Sequence, residues 1–260
     1  MAVDSDLAIW LGIHDASASI VQFPLRDGVN PVSAAQHLGC ADGNFSTSGF
    51  VWNSAVHLCS LFANHARCDV TSSKSLFAVE LGAGTGICSA ALASCLQMHC
   101  RVIATDLQQN LRLIEDTISR NALRACMSAE AIDWTEPAHA SCLADADLVF
   151  GADLTYSEHV LPFLFACLRF ACCHGAVALL AHEHRGPKDE FEVALGRGLS
   201  CLDGSISFAE LPSECWAKHP DSASAFSIYV ISACGQMNCR LLGRAVPFLN
   251  ALPVKWHRVE

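Results

Sequence analysis

Basic side chains gather into no run anywhere in the 260 residues: 16 lysines and arginines are scattered against 26 aspartates and glutamates, for a formal net charge of -10. With no basic run, nucleic acid and anionic membranes are poor partners, whereas a basic segment of another protein suits the balance. Long apolar stretches are missing too. The most hydrophobic region, VLPFLFACLRFACCHGAVALLA (160–181), is broken by Pro162, Arg169 and His174-Gly175. It reads as a helix followed by a strand and falls short of the roughly 20 unbroken residues that a membrane span needs. The opening, MAVDSDLAIW, has neither the basic start nor the apolar core of a secretion signal.

The 15 cysteines include no C-x-x-C pair; Cys95 and Cys100, like Cys234 and Cys239, are too far apart for a zinc knuckle. An odd count in a chain of this length also argues against a disulfide framework. Most of them, for example Cys88, Cys95, Cys167, Cys172 and Cys173, sit inside apolar runs, where a thiol behaves as a small hydrophobe. A reducing setting, cytoplasmic or also nuclear, is expected. Charged residues make up 16% and hydrophobic ones 52%, enough for a sizeable core.

Before residue 76 the pattern is loose. SASIVQF (17–23) alternates like a strand, RDGVNP (26–31) is rich in turn residues, and NSAVHLCSLFANHA (53–66) suits a helix with one broad buried face and Asn53 as its N-cap. From residue 76 a regular alternation begins. Strands are expected at LFAVEL (76–81), RVIAT (101–105), ADLVFGA (146–152) and AVALLA (176–181), with helices at 87–97, 107–121 and 161–173 between them. Continuous apolar strands alternating with helices imply a parallel sheet covered on both faces. SISFAEL (205–211) and AFSIYVISA (225–233) follow as strands without an intervening helix, so the sheet should end antiparallel.

VELGAGTGI (79–87) joins a strand to a helix, the context in which a glycine loop carries meaning. Gly82, Gly84 and Gly86 permit a tight turn and close approach of a ligand to backbone. Asp106 ends the next strand, where a carboxylate can accept both hydroxyls of a ribose. The spacing is G-x-G-x-G, not G-x-G-x-x-G, and Glu80 stands two residues before the first glycine. An acid there repels pyrophosphate but suits a ligand bearing an ammonium and a sulfonium. The loop therefore favours S-adenosylmethionine over a nicotinamide cofactor.

ELGAGTG, ATDL (104–107), IDW (132–134) and GADLTY (151–156), in this order and spacing, together with TSGFVWNSAVHL (47–58), make the chain resemble the seven-β-strand, non-SET protein-lysine methyltransferases of eukaryotes. The resemblance spans roughly residues 45–185 and implies a class I, Rossmann-like α/β fold with a seven-stranded, mostly parallel sheet and an antiparallel end. Residues 46–260 are read as the methyltransferase domain of a monomer, and residues 1–45 as an extension that forms strands over the cleft or dangles. The resemblance further implies that Gly82, Ala83 and Gly84 wrap the methionine end of the cofactor. Trp134 beside Asp133 would flank the adenine, Ala152 would line the pocket beneath it, and Trp52 would close the site. The alternative for Trp52 and Trp134 is that they are core aromatics, and for Asp133 that it caps a turn. Two departures stand out: Ser89 replaces a customary glycine, and AHEHR (181–185) matches loosely. For His182 and His184 an exposed strand end is expected rather than a metal site.

In LVFGADLTYSEHV (148–160), Asp153 and Tyr156 follow a buried strand at its carboxyl end, where open parallel sheets keep their chemistry. A lysine of pKa about 10.4 arrives protonated and must lose proton and water before it can attack a methyl group. Asp153 is assigned to grip and orient that amine, and Tyr156 to pack against the cation. Methylation of a protein lysine is the expected activity. The alternatives are a histidine, arginine or small-molecule acceptor, or a binding module that has lost turnover.

Overall fold

The computed structural model describes residues 15, 18–36, 47–67, 75–200, 206–216, 225–233 and 257–258. Much of the 1–45 extension, and Cys234 and Cys239, lie outside the described residues. The chain opens with a two-stranded antiparallel hairpin, β1 (Ile20–Phe23) and β2 (Val32–Ala35), and then α1 (Asn53–His65). The alternating series follows: β3 (Leu76–Glu80), α2 (Ile87–Leu96), β4 (Cys100–Asp106), α3 (Leu111–Arg120), β5 (Met127–Ala131) and β6 (Leu148–Ala152). It continues with α4 (Leu161–Cys173), β7 (Val177–Glu183), α5 (Lys188–Leu199), β8 (Ile206–Glu210), β9 (Phe226–Ala233) and β10 (His257–Arg258).

Strands 3 to 10 form one sheet in the order β10-β8-β9-β7-β6-β3-β4-β5. Strands β3 to β7 are mutually parallel, and β9, β8 and β10 add antiparallel pairings. The sheet is thus the expected seven strands plus a two-residue eighth at the edge.

Both faces of the central strands are buried, and alternate residues divide between two apolar clusters. Ala78, Val102, Phe150 and Leu179 face the side covered by α1, α2 and α3, with Phe62 of α1 packed edge-on against Phe150 at 5.3 Å. Val79, Ile103, Val149 and Leu180 face the side covered by α4 and α5. This two-sided burial is why the strands read as unbroken apolar runs rather than alternating ones. Helix α2 is buried nearly all round, and its Ala, Ser and Cys side chains keep it thin enough to pack beside α1.

The hairpin packs on α2 and α3. Asn121, just after α3, accepts from the Ser33 N–H at 2.9 Å and donates to the Ser33 carbonyl at 2.7 Å. Trp52, not Asn53, is the N-cap of α1, and it makes no side-chain cap; Asn53 is already helical. Pro162 stands in the first turn of α4, where a missing N–H costs nothing.

Candidate functional site

Strand order reverses at β3: the chain goes first to β4 on one side and later to β6 on the other. The loops leaving β3, β4, β5 and β6 diverge there and open a crevice, the usual place for a ligand in such sheets. A cavity of about 330 Å³ occupies it, within the range of small-molecule sites. All eleven residues singled out from the sequence line this one cavity: Trp52, Glu80, Gly82, Ala83, Gly84, Asp106, Asp133, Trp134, Ala152, Asp153 and Tyr156.

The glycine loop needs its glycines on two counts. Gly82 and Gly84 have φ of 57° and 53°, a region that costs other residues about 1–2 kcal/mol. Space is also lacking. A Cβ on Gly82 would lie 2.6 Å from Leu154 Cδ2 and 3.1 Å from the Trp134 ring, and one on Gly84 would lie 3.0 Å from the Ser48 carbonyl oxygen. The loop is therefore squeezed between the β5 and β6 loops on one side and residues 47–52 on the other.

Asp106 closes the opposite wall. Its Oδ2 accepts from the Gly84 N–H at 2.8 Å, and its Oδ1 accepts from the Leu107 N–H at 2.8 Å and from Asn110 Nδ2 at 2.7 Å. Asn110 Nδ2 also donates to Ser48 Oγ at 2.8 Å, tying the segment before α1 to the carboxylate. A carboxylate offers about four acceptor positions, so Oδ2 retains one for a hydroxyl.

Glu80 is 2% exposed, and its Oε2 accepts from both the N–H and the hydroxyl of Ser89, three residues into α2. It thus caps the helix from outside the helix, and Ser89 supplies the donor that a glycine could not. Burial pushes the Glu80 carboxyl up to about 8, against the pull of its bonds to Ser89. A buried acid lining a cavity fits a cationic ligand, which would draw it toward the ionised form. Glycine space, a ribose-ready carboxylate and this acid together fit S-adenosylmethionine.

Farther along, Asp133 Oδ1 accepts from the Thr135 N–H at 2.9 Å and from the Thr135 hydroxyl at 2.7 Å, so it caps a turn and lines the cavity at once. That turn aims Trp134 at Gly82. Trp52 is half-buried, its Nε1 donating to the Thr47 carbonyl at 3.1 Å and its ring meeting Phe50 edge-on.

At the other end stands the loop after β6. Asp153 is 4% exposed and has φ of 56°, in the left-handed region. Its Oδ1 accepts from Arg185 Nη1 at 2.9 Å and its Oδ2 from Arg185 Nη2 at 2.7 Å, a bidentate ion pair. Arg185 Nη2 also reaches Glu183 Oε2 at 3.1 Å. Tyr156 is at the lip and is 59% exposed. The two histidines of AHEHR are not an exposed strand end. His182 is buried, stacked on Phe191 at 3.7 Å, with its Nδ1 hydrogen-bonded to Thr155 Oγ1 at 2.6 Å. Burial, then the charges of His184 and Arg185, pull the His182 imidazole down to about 3.

Sequence reasoning passed over Ser48, Asn110 and Arg185. Ser48 lies in a segment that the motifs mark, but its role emerges only when Asn110, 62 residues away, bridges it to Asp106. Arg185 is 32 residues from Asp153 and meets it only because β6 and β7 are paired.

Among solved structures, SMU.776, named as a methyltransferase and crystallised with SAH, superposes with a TM-score of 0.53 at 12% identity, over 82% of this chain and 56% of that one. The CurJ carbon methyltransferase gives 0.50 at 13% identity, over 64% of this chain and 50% of that one. The fold is that of the S-adenosylmethionine-dependent methyltransferases.

Residues 38–193 match the family model described as lysine methyltransferase, and the chain belongs to that family, with S-adenosylmethionine as its methyl donor. The mouse protein-lysine methyltransferase METTL21E is 29% identical over 187 residues, 68% of this chain and 73% of that protein. The mouse EEF1A lysine methyltransferase 3 is 35% identical over 135 residues, 50% of this chain and 53% of that protein, so the match spans about half of it.

Proposed function

We propose that this chain methylates the side-chain amine of a lysine in another protein, with the cofactor held by the β3, β4 and β5 loops and the acceptor received by the β6 loop. The observation that carries the reading is that one cavity is lined both by the glycine loop with Asp106 and by Asp153 with Tyr156. When bound, S-adenosylmethionine supplies a methyl group activated by its positive sulfur. The protein's part is to hold, orient and desolvate.

Asp153 accepts from the incoming ammonium and fixes its approach. Each carboxylate oxygen has a second acceptor position beyond the one used by Arg185, so the amine can be held without breaking that pair. Tyr156 offers an aromatic face to the cation at the entrance. The side chains around the mouth support a large partner: Leu107, Tyr156 and Phe163 line the cavity and are 39%, 59% and 40% exposed. An apolar rim of this kind suits a protein surface more than a small metabolite. The net charge of -10 favours a basic segment around the target lysine. Cys88 and Cys167 are buried among apolar side chains as small hydrophobes, which supports a reducing setting, cytoplasmic or also nuclear.

The test is transfer of labelled methyl from S-adenosylmethionine into proteins of a cell lysate, comparing the wild type with Asp153→Ala. A labelled protein band is expected with the wild type. In the variant it should weaken on the order of a hundredfold, as expected when an orienting group is lost. Label only in small molecules would overturn the reading.

A further inference from the structure

We propose that the end of β7 is a clamp that sets the acceptor loop, with Arg185 as a positioning residue for methyl transfer. The segment AHEHR holds the loop after β6 at three points. The Asp153 N–H donates to the Ala181 carbonyl at 2.9 Å, Thr155 is bonded to His182 at 2.6 Å, and the Asp153 carboxylate takes the Arg185 fork. Arg185 lies outside the lining of the cavity while Asp153 is part of it, so the guanidinium acts through the carboxylate.

Three features make this more than a surface ion pair. Asp153 sits in a backbone conformation that a non-glycine residue keeps only when its surroundings hold it. The guanidinium fork fixes the plane of the carboxylate, which a lysine in the same place could not do. The charge balance also leaves room for a substrate. Among the described residues, Asp153 and Glu183 share the Arg185 guanidinium, and a lysine ammonium is a second cation that this acidic pair can take. His182 is braced from behind by its flat stack on Phe191 of α5, so the clamp is anchored in the helical layer.

The inference rests on the role given to Asp153 above. It is tested by rates of labelled methyl transfer into lysate protein for Arg185→Ala, Arg185→Lys, Asp153→Asn and the double variant Asp153→Asn/Arg185→Ala, with S-adenosylhomocysteine affinity measured for each. Arg185→Ala should slow transfer on the order of ten- to a hundredfold while the affinity stays within about twofold. Arg185→Lys should recover part of the rate. The double variant should be no slower than Asp153→Asn, because a residue acting through another adds nothing once that partner is gone. Should Arg185→Ala lose S-adenosylhomocysteine binding, Arg185→Lys decides alone: slower transfer with affinity retained supports the clamp. Wild-type rates in the Arg185 variants overturn it. So does a further loss in the double variant, or loss of cofactor affinity in both single Arg185 variants, which would make Arg185 a support of the fold. A wild-type chain that binds S-adenosylhomocysteine but labels no protein removes the parent reading, and the clamp with it.

Discussion

Glu80 faces two demands at once: it caps α2 through Ser89, and it waits beside a cavity built for a cation. Its carboxyl titrates near 8 when folded against an ordinary 4.5, so across that window the folded chain holds a proton that the unfolded chain has released. Stability from this group therefore falls as pH rises from about 5 to 8, by at most about 1.4 kcal/mol per unit. His182, with its folded value pulled down to about 3, acts in the opposite direction but only below its ordinary 6.5. Above pH 6.5 His182 no longer contributes, and a Glu80 variant separates this group from Glu183, whose carboxyl burial also raises. Glu80→Gln keeps an acceptor for Ser89 and removes the charge. Its melting temperature relative to the wild type should climb between pH 6.5 and 8, by a few degrees, and saturating cofactor should shrink the difference. A gap that stays constant with pH would contradict a buried, protonated Glu80.

At the scale of elements, legibility in the sequence depended on how local the signal was. Strand β3, the glycine loop and α2 stand in one continuous run, so apolar pattern, turn chemistry and helix start agree within about twenty residues. Strand β5 escaped because MSAEA at a sheet edge alternates between buried and exposed and has no apolar run. Helix α5 escaped because KDEFEVALGRGL carries two glycines, each costing about 1 kcal/mol in a helix interior. Tertiary packing overrides that cost: Leu195 and Leu199 are fully buried against α4 and the sheet. One of the glycines is itself a packing requirement. A Cβ on Gly198 would lie 1.9 Å from the Phe165 ring of α4. Gly198→Ala gains up to about 1 kcal/mol in helix propensity but overpacks at about 1–3 kcal/mol. The net effect should be a lower melting temperature with unchanged S-adenosylhomocysteine affinity, because α5 is remote from the cofactor end. Thermal unfolding and calorimetry on the same sample check both halves. A stabilised variant would mean that α4 and α5 are free to separate.

Across the whole molecule the sheet supplies a rigid floor and the loops at its carboxyl ends supply the chemistry. The cofactor-end residues Glu80, Gly82, Ala83, Gly84, Asp106, Asp133 and Trp134 come from motifs that the sequence displays in order, whereas the Asn110 bridge from Ser48 to Asp106 is set by the fold. The acceptor half is legible only as Asp153 and Tyr156. What holds Asp153 is Arg185 on the neighbouring strand, and strand adjacency is a property of topology that no local pattern carries. The acidic balance and the apolar rim belong to this scale as well, and together they point to a protein partner rather than a metabolite. The most direct measurement is amino-acid analysis of protein labelled by this chain from methyl-labelled S-adenosylmethionine. Label is expected in methylated lysine, and it should be lost with Asp153→Ala while S-adenosylhomocysteine still binds. Label in methylated histidine or arginine, or undiminished methyl-lysine in the variant, would contradict a lysine acceptor held by Asp153.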